Sequence, residues 1–215
     1  MSLKDQDKER SKLDGVPILQ KPELAASVTS AFMQALMIGG VVPKSISARL
    51  GTHVEGRKID DHGFAYMECH GGAKIMLTSS QVMQGHSNDH NIEVCGTTGS
   101  LVWNQENPDY LILKRNGQAV AVYQRNACKM TPIAGSLCRV PGGHPEAYLE
   151  GFGNVYKQVA AEIEALENGT ALTENPLARA PGIIVGMMGN VFIERCQTSS
   201  AQGGAILTFD HPLFN

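Results

Sequence analysis

Asn91-Ile92-Glu93-Val94-Cys95-Gly96-Thr97-Thr98-Gly99-Ser100-Leu101-Val102-Trp103 reads as two short strands joined by a turn. β-Favouring residues fill both arms, and Gly96-Thr97-Thr98-Gly99 supplies the bend. The same signature repeats on either side. Downstream, Tyr110 to Leu113 and Ala119 to Tyr123 flank Arg115-Asn116-Gly117-Gln118, where Asn-Gly is a strong hairpin signal. Upstream lie Ser45 to Leu50, Gly63 to Cys69 and Lys74 to Gln81. His70-Gly71-Gly72-Ala73 joins the last two, and its paired glycines tolerate the positive φ of such turns. A run of hairpins predicts a mainly antiparallel, meandering sheet.

Toward both ends the apolar period changes to three and four residues. Pro22-Glu23 opens a helix over Leu24, Val28, Ala31, Phe32, Ala35 and Leu36, and Gly39-Gly40 stops it. A polar, small-residue loop runs from Arg125 to Gly143. His144-Pro145-Glu146 then opens a second helix, with Tyr148, Leu149, Phe152, Val155, Tyr156, Val159, Ile163 and Leu166 on one side; Asn168-Gly169 ends it. Asn175 to Gly182 is a Pro-punctuated connector before a third helix, Ile183 to Ser200, and Gly203 to Leu207 closes with a strand. This order predicts an α+β fold: a large, mainly antiparallel sheet with helices on one face. Residues 1–14 read as a charged leader and 15–215 as a single domain.

Composition narrows the function classes. Lys+Arg 18 against Asp+Glu 21 gives a net charge of -3. That balance leaves no basic footprint for nucleic acid and no polybasic stretch for a membrane surface. No apolar run approaches the roughly 18 to 20 residues needed to cross a bilayer, and the N-terminal dozen residues lack the apolar core of a secretory signal. Five cysteines without a Cys-x-x-Cys pair read as reduced thiols of a cytoplasmic protein, not as a disulfide framework.

Three strings carry a resemblance. The first is Ser80-Gln81-Val82-Met83-Gln84-Gly85 followed by Ile92 to Trp103. The second is Gly143-His144-Pro145-Glu146-Ala147-Tyr148-Leu149-Glu150-Gly151-Phe152-Gly153-Asn154-Val155-Tyr156. The third is Phe192-Ile193-Glu194-Arg195-Cys196 leading to Ser199-Ser200 and Gly203-Gly204. Together, and in this order, they resemble the C-terminal domain of the glucose–fructose oxidoreductase / inositol dehydrogenase / rhizopine-catabolism (Gfo/Idh/MocA) family. The resemblance implies a hydride-transfer relative acting on a sugar or cyclitol. In that family an N-terminal Rossmann domain holds NAD(P), while the α+β domain supplies the substrate site and the oligomer interface. Subunits there pair through the open sheet face.

The chain departs from that pattern in two ways. A dinucleotide site needs a strand, a Gly-x-Gly-x-x-Gly turn and a helix whose N-terminal amides meet the pyrophosphate. No such turn stands among these residues; Gly151-Phe152-Gly153 falls inside a predicted helix and Gly96-Thr97-Thr98-Gly99 joins two strands. The Rossmann domain is therefore expected to be absent, and NAD(P) to belong only to relatives or to a separate Rossmann chain. The resemblance also implies an Asp and a His on the first helix, to take the hydroxyl proton as hydride leaves. Ala25 and Thr29 stand at those positions, and neither is a base near pH 7. Gln20-Lys21-Pro22 resembles a family Glu-Lys-Pro turn with Gln for Glu, which makes Lys21 the one weak catalytic candidate; an ordinary Lys-Pro before a helix is the favoured reading.

Two readings follow. In the first, the chain is a stand-alone substrate-binding and oligomerisation domain, not catalytic by itself. In the second, it is half of a split or truncated NAD(P)-dependent sugar or inositol dehydrogenase that works with a separate Rossmann chain. A polyol or sugar ligand is expected near Gln81, Asn88, His144 and Glu146, because amide, imidazole and carboxylate groups suit hydroxyls. His144 has a simpler reading as a helix cap. His86-Ser87-Asn88-Asp89-His90 has the donor types of a metal site but reads as a solvated turn, so no metal is expected. Asp60-Asp61-His62 reads as an exposed turn, and Arg57-Lys58 before it as part of a mixed-charge loop. Met33, Met37, Met187 and Met188 keep helical spacing and read as core. Finally, Phe64, Tyr66 and Glu68 alternate with Ala65, Met67 and Cys69, Ile75 and Leu77 with Met76 and Thr78, and Leu111 and Leu113 with Ile112, so neither side of the sheet is plainly polar. Helices cover one side only, which predicts a homodimer, or a tetramer built from one, through the other.

Overall fold

The computed structural model describes residues 23–127, 129–174 and 178–209. Lys21, Cys128 and the charged leader lie outside them. The α+β class and the antiparallel pairing expected from sequence are both present, with the strands divided into two four-stranded sheets.

The first sheet has the order β3-β2-β1-β8, formed by β1 (Pro43–Gly51), β2 (His62–Cys69), β3 (Lys74–Ser80) and β8 (Leu207–Thr208). The β2–β3 hairpin turns through Gly71 and Gly72 at φ 80° and 89°, as its glycines require. Alternation along β2 sends Ala65, Met67 and Cys69 inward and leaves Phe64 and Glu68 outward. Two helices cover the inner face: α1 (Glu23–Gly39), ended by Gly40 at φ 58°, and α4 (Ile183–Ala201). Phe32 of α1 stacks on Phe192 of α4 with ring centroids 4.1 Å apart, and on Phe209 at 6.2 Å. Ile46, Ala48, Ala65, Met67 and Leu77 complete this core from the sheet.

The second sheet is the meander β4-β5-β6-β7: β4 (Asn91–Gly96), β5 (Gly99–Asn104), β6 (Tyr110–Arg115) and β7 (Ala121–Gln124). Its register places Ile92, Trp103, Leu111 and Tyr123 in one row across all four strands. No strand of one sheet pairs with a strand of the other among the described residues. The connection 81–90 separates them, bending through Gly85 and Asp89 at positive φ.

Four local expectations change, the first being that Met37 and Met187, expected in the core, are exposed. The 125–143 loop contains a helical turn, α2 (Pro132–Leu137), opened by Thr131, whose Oγ1 accepts the Ala134 amide at 3.4 Å. The long helix α3 (Tyr148–Glu167) begins four residues later than His144, so His144 is not its cap. Instead Glu150 reaches back to accept the Ala147 amide at 2.9 Å. Asp61 is not exposed: its side chain is fully buried, for reasons given below. Among the described residues, no helix is long and apolar enough to cross a membrane.

Candidate functional site

A cavity of about 670 Å³ opens between the second sheet and the first turns of α3. Trp103 of β5, Arg125 after β7, Glu146 and Tyr148, Phe152 and Asn154 of α3 line it. Trp103 is held by its indole N–H, which donates to the Pro108 carbonyl at 3.0 Å. Its ring meets the imidazole of His90 edge-on at 6.3 Å, and His90 Nε2 lies 2.5 Å from Gln34 Oε1 on α1. One cavity wall is thereby tied to the helix that covers the first sheet.

Arg125 organises the opposite wall. Its Nε donates to Asp109 at 2.8 Å, Nη1 pairs with Glu146 at 2.7 Å and donates to the Val140 carbonyl at 2.9 Å, and Nη2 donates to the His144 carbonyl at 2.6 Å. The hydrogen bond to Asp109 raises the guanidinium pKa; burial opposes this, and the charges of Glu146 and Asp109 add to it. Glu146 is buried and also accepts the amides of Arg139, at 2.7 Å, and Val140, at 3.2 Å. This set clamps the 139–146 loop against the sheet. Glu150 is held below the usual carboxylate range by the Ala147 amide it accepts. The charged groups at this wall therefore have partners already, and aromatic surface dominates what a ligand would meet. That chemistry suits binding through stacking and hydroxyl contacts better than proton transfer.

The candidate residues from sequence are only partly brought together. Glu146 lines the cavity, but its carboxylate serves the loop clamp. His144 is exposed on the bordering loop. Gln81 and Asn88 are exposed in the 81–90 connection, and neither lines the cavity. His86 and Asp89 pair at 2.6 Å in that connection, where the hydrogen bond from His86 lowers the Asp89 pKa. Among the described residues, no group of three or more His, Cys, Asp or Glu is placed to hold a metal. Sequence reasoning missed Arg125, Asp109 and Trp103. Arg125 and Asp109 lie sixteen residues apart and meet only because β6 and β7 pair, so no local spacing signals them.

On α1, Thr29 faces α4: a Cβ placed on Gly189 would lie 2.5 Å from the Thr29 methyl. Residues 29–102 match the family model of the GFO/IDH/MocA C-terminal domain. The chain is 34% identical to an oxidoreductase of Sinorhizobium meliloti, with a TM-score of 0.77, covering 83% of this chain and 50% of that one. An inositol dehydrogenase homolog of Azotobacter vinelandii, crystallised with NADH and myo-inositol, matches at 28% identity and TM-score 0.78, over 86% of this chain and 50% of that one. The uncharacterized oxidoreductase YfiI of Bacillus subtilis is 24% identical over 151 residues, 70% of this chain and 38% of that protein. The chain thus spans about half the length of the solved structures it matches.

Proposed function

This chain carries a C-terminal domain of the Gfo/Idh/MocA oxidoreductase family, and from that premise we propose that it is the substrate-binding and assembly half of such a dehydrogenase and does not transfer hydride alone. The observation that carries this reading is on α1. Ala25 and Thr29 stand where the family's acid–base pair is expected, and the Thr29 methyl faces Gly189 of α4. The ligand is a cyclitol or sugar, taken at the 144–147 loop and the adjoining cavity, where Trp103, Tyr148 and Phe152 offer ring faces to C–H surfaces. His144, on the loop that borders the cavity, is the hydroxyl-recognising group of this reading, while Glu146 holds the loop in place. The homodimer forms through the outer face of the first sheet. Free Cys69, Cys95, Cys138 and Cys196 support a reducing, cytoplasmic setting.

The test is thermal denaturation of the chain alone. A ligand at a hundred times its Kd raises stability by about 2.7 kcal/mol. Myo-inositol at high concentration is expected to raise Tm and to shift amide resonances at residues 144–147. NAD and NADP are expected to leave Tm unchanged, and NAD with myo-inositol to yield no NADH. A dose-dependent rise with either dinucleotide, or resonance shifts confined to residues remote from that loop, would defeat the reading.

A further inference from the structure

α3 has two unlike flanks. Its apolar stripe, from Tyr148 to Leu166, is exposed, while its polar flank lies against α2 and residues 178–180. A second, smaller cavity opens along that polar flank, lined by Ser136, Leu137 and Arg139 on one side and Asn154, Lys157 and Gln158 on the other. Its volume of about 130 Å³ is room for roughly four waters at about 30 Å³ each. Both charges on its lining are positive, and no carboxylate stands among the described residues that form it. Asn154 fixes one of the two: its Nδ2 donates to the Leu137 carbonyl at 2.7 Å, and its Oδ1 accepts from Arg139 Nη2. Neither the Arg139 guanidinium nor the Lys157 ammonium pairs with a carboxylate among the described residues. Three and four residues from Lys157 along α3 stand Gly153, Asn154, Ala160 and Ala161, none of them charged. Glu162, the nearest acidic residue in sequence, is engaged by Arg179 at 3.3 Å and by the Ala180 amide at 3.1 Å.

We propose that this hollow binds a tetrahedral oxyanion, either inorganic phosphate or the phosphate of a monoester. Two like charges lining one hollow repel each other, and an anion between them turns that repulsion into two attractions. Arg139 offers a planar fork of donors and Lys157 a movable point charge, a pair that reaches several oxygens of one phosphate. The positive excess is local, because the chain as a whole carries a net charge of -3. Size narrows the ligand further. The hollow is well below the roughly 300 Å³ at which sites for whole small molecules begin, so the anionic group alone enters it. Leu137 and Asn154 line this hollow and the larger cavity alike, so a phosphate here lies beside whatever the larger one holds. That adjacency selects a phosphorylated cyclitol or sugar as the monoester. This last clause rests on the functional reading above; the oxyanion site itself does not.

The experiment titrates the whole chain with sodium phosphate and follows amide resonances, with sodium chloride of equal ionic strength as the reference. Saturable shifts are expected at residues 136–139 and 154–158, with a Kd on the order of 1 mM for two charge-assisted contacts. Lys157→Gln and Arg139→Gln alter exposed side chains, so each should keep the wild-type Tm and weaken phosphate at least about fivefold. Arg139→Lys retains the charge and should recover part of that loss. Lys114→Gln removes an ammonium that pairs with Glu93 on the second sheet, and should bind phosphate as wild type does. No saturable shift by about 20 mM phosphate, the same shifts with chloride, or undiminished binding by Lys157→Gln overturns the proposal. An inositol monophosphate separates the two sources. Tighter binding than phosphate, with shifts at 136–139 and 144–147 together, assigns the monoester; equal binding, with shifts at 136–139 alone, assigns free phosphate. Titration with myo-inositol reads the functional assignment by itself, so the two readings fail independently.

Discussion

Ser199 and Ser200 do for β1 what a neighbouring strand would otherwise do. β8 pairs only with Ser45 and Ile46, and beyond them the amides of Ala48 and Leu50 point at α4. Ser199 Oγ accepts the Ala48 amide at 2.9 Å and donates to the Ala205 carbonyl at 2.6 Å; Ser200 Oγ accepts the Leu50 amide at 2.9 Å. The paired serines that helped reveal the resemblance are thus edge caps. Ser199→Ala leaves the Ala48 amide buried without an acceptor, and urea denaturation should show a loss of about 1–3 kcal/mol. Asp61 is the second residue of this kind. Its carboxylate accepts the amides of His53, at 2.9 Å, and Val54, at 3.0 Å, with the His53 ring at 3.1 Å and Arg57 at 3.5 Å. Burial pushes its pKa up, but the Val54 and His53 amides, the His53 ring and the Arg57 charge together outweigh it, so the net shift is downward. A lowered folded pKa stabilises above the unfolded value, about 3.9, and that contribution is lost as pH falls through the folded pKa. Asp61→Asn should therefore cost about 1.5–3 kcal/mol at pH 7. The gap from wild type should close as pH drops below about 3.9; a gap constant to pH 2.5 would contradict this. The sequence Asp60-Asp61-His62 could not reveal this burial. The donors lie seven and eight residues back and are mostly backbone groups, which every residue carries.

At the scale of elements, the hairpins and helices were legible because each follows from local pattern: alternation, Asn-Gly and Gly-Gly turns, a three-and-four period. α2 was not, since the six residues Pro132–Leu137 are too few for a period to show. The partition into two sheets was not legible either, because which strand edges pair is decided by residues far apart. For α3 the stripe itself could be read, but whether a stripe is buried depends on what is present to bury it. The approach of α1 and α4 is a further long-range matter. Gly189 lets the two helices meet at Thr29, whose β-branched side chain is stiff and cannot swing aside. Gly189→Ala gains about 1 kcal/mol in helix propensity. The overlap at 2.5 Å costs more, on the order of 1–3 kcal/mol, so the steric effect should win and Tm should fall. Thr29→Ser deletes the opposing methyl and should restore most of the loss.

Across the described residues, large apolar side chains are exposed on two separate faces, α3 and the outer face of the first sheet. On the outer face of the first sheet Met76 is 87% exposed and Phe64 50%, with Tyr66 registered directly opposite Met76. A bare row of this kind on the sheet, not covered by either helix, supports a two-fold, face-to-face dimer. Light scattering at micromolar concentration should give at least twice 23.1 kDa, and Met76→Glu should lower it to the monomer. The edge caps on β1 bear on something else, the order in which the chain can fold. Each strand of the second sheet pairs with its neighbour in sequence, so that sheet can close as soon as residues 91–124 exist. The first sheet cannot. The Ala48 amide waits for an oxygen 151 residues away, and Ile46 waits for Leu207. During synthesis β1 therefore carries a bare edge until residues 199–208 have been added, and an unpaired strand edge can recruit the wrong neighbours.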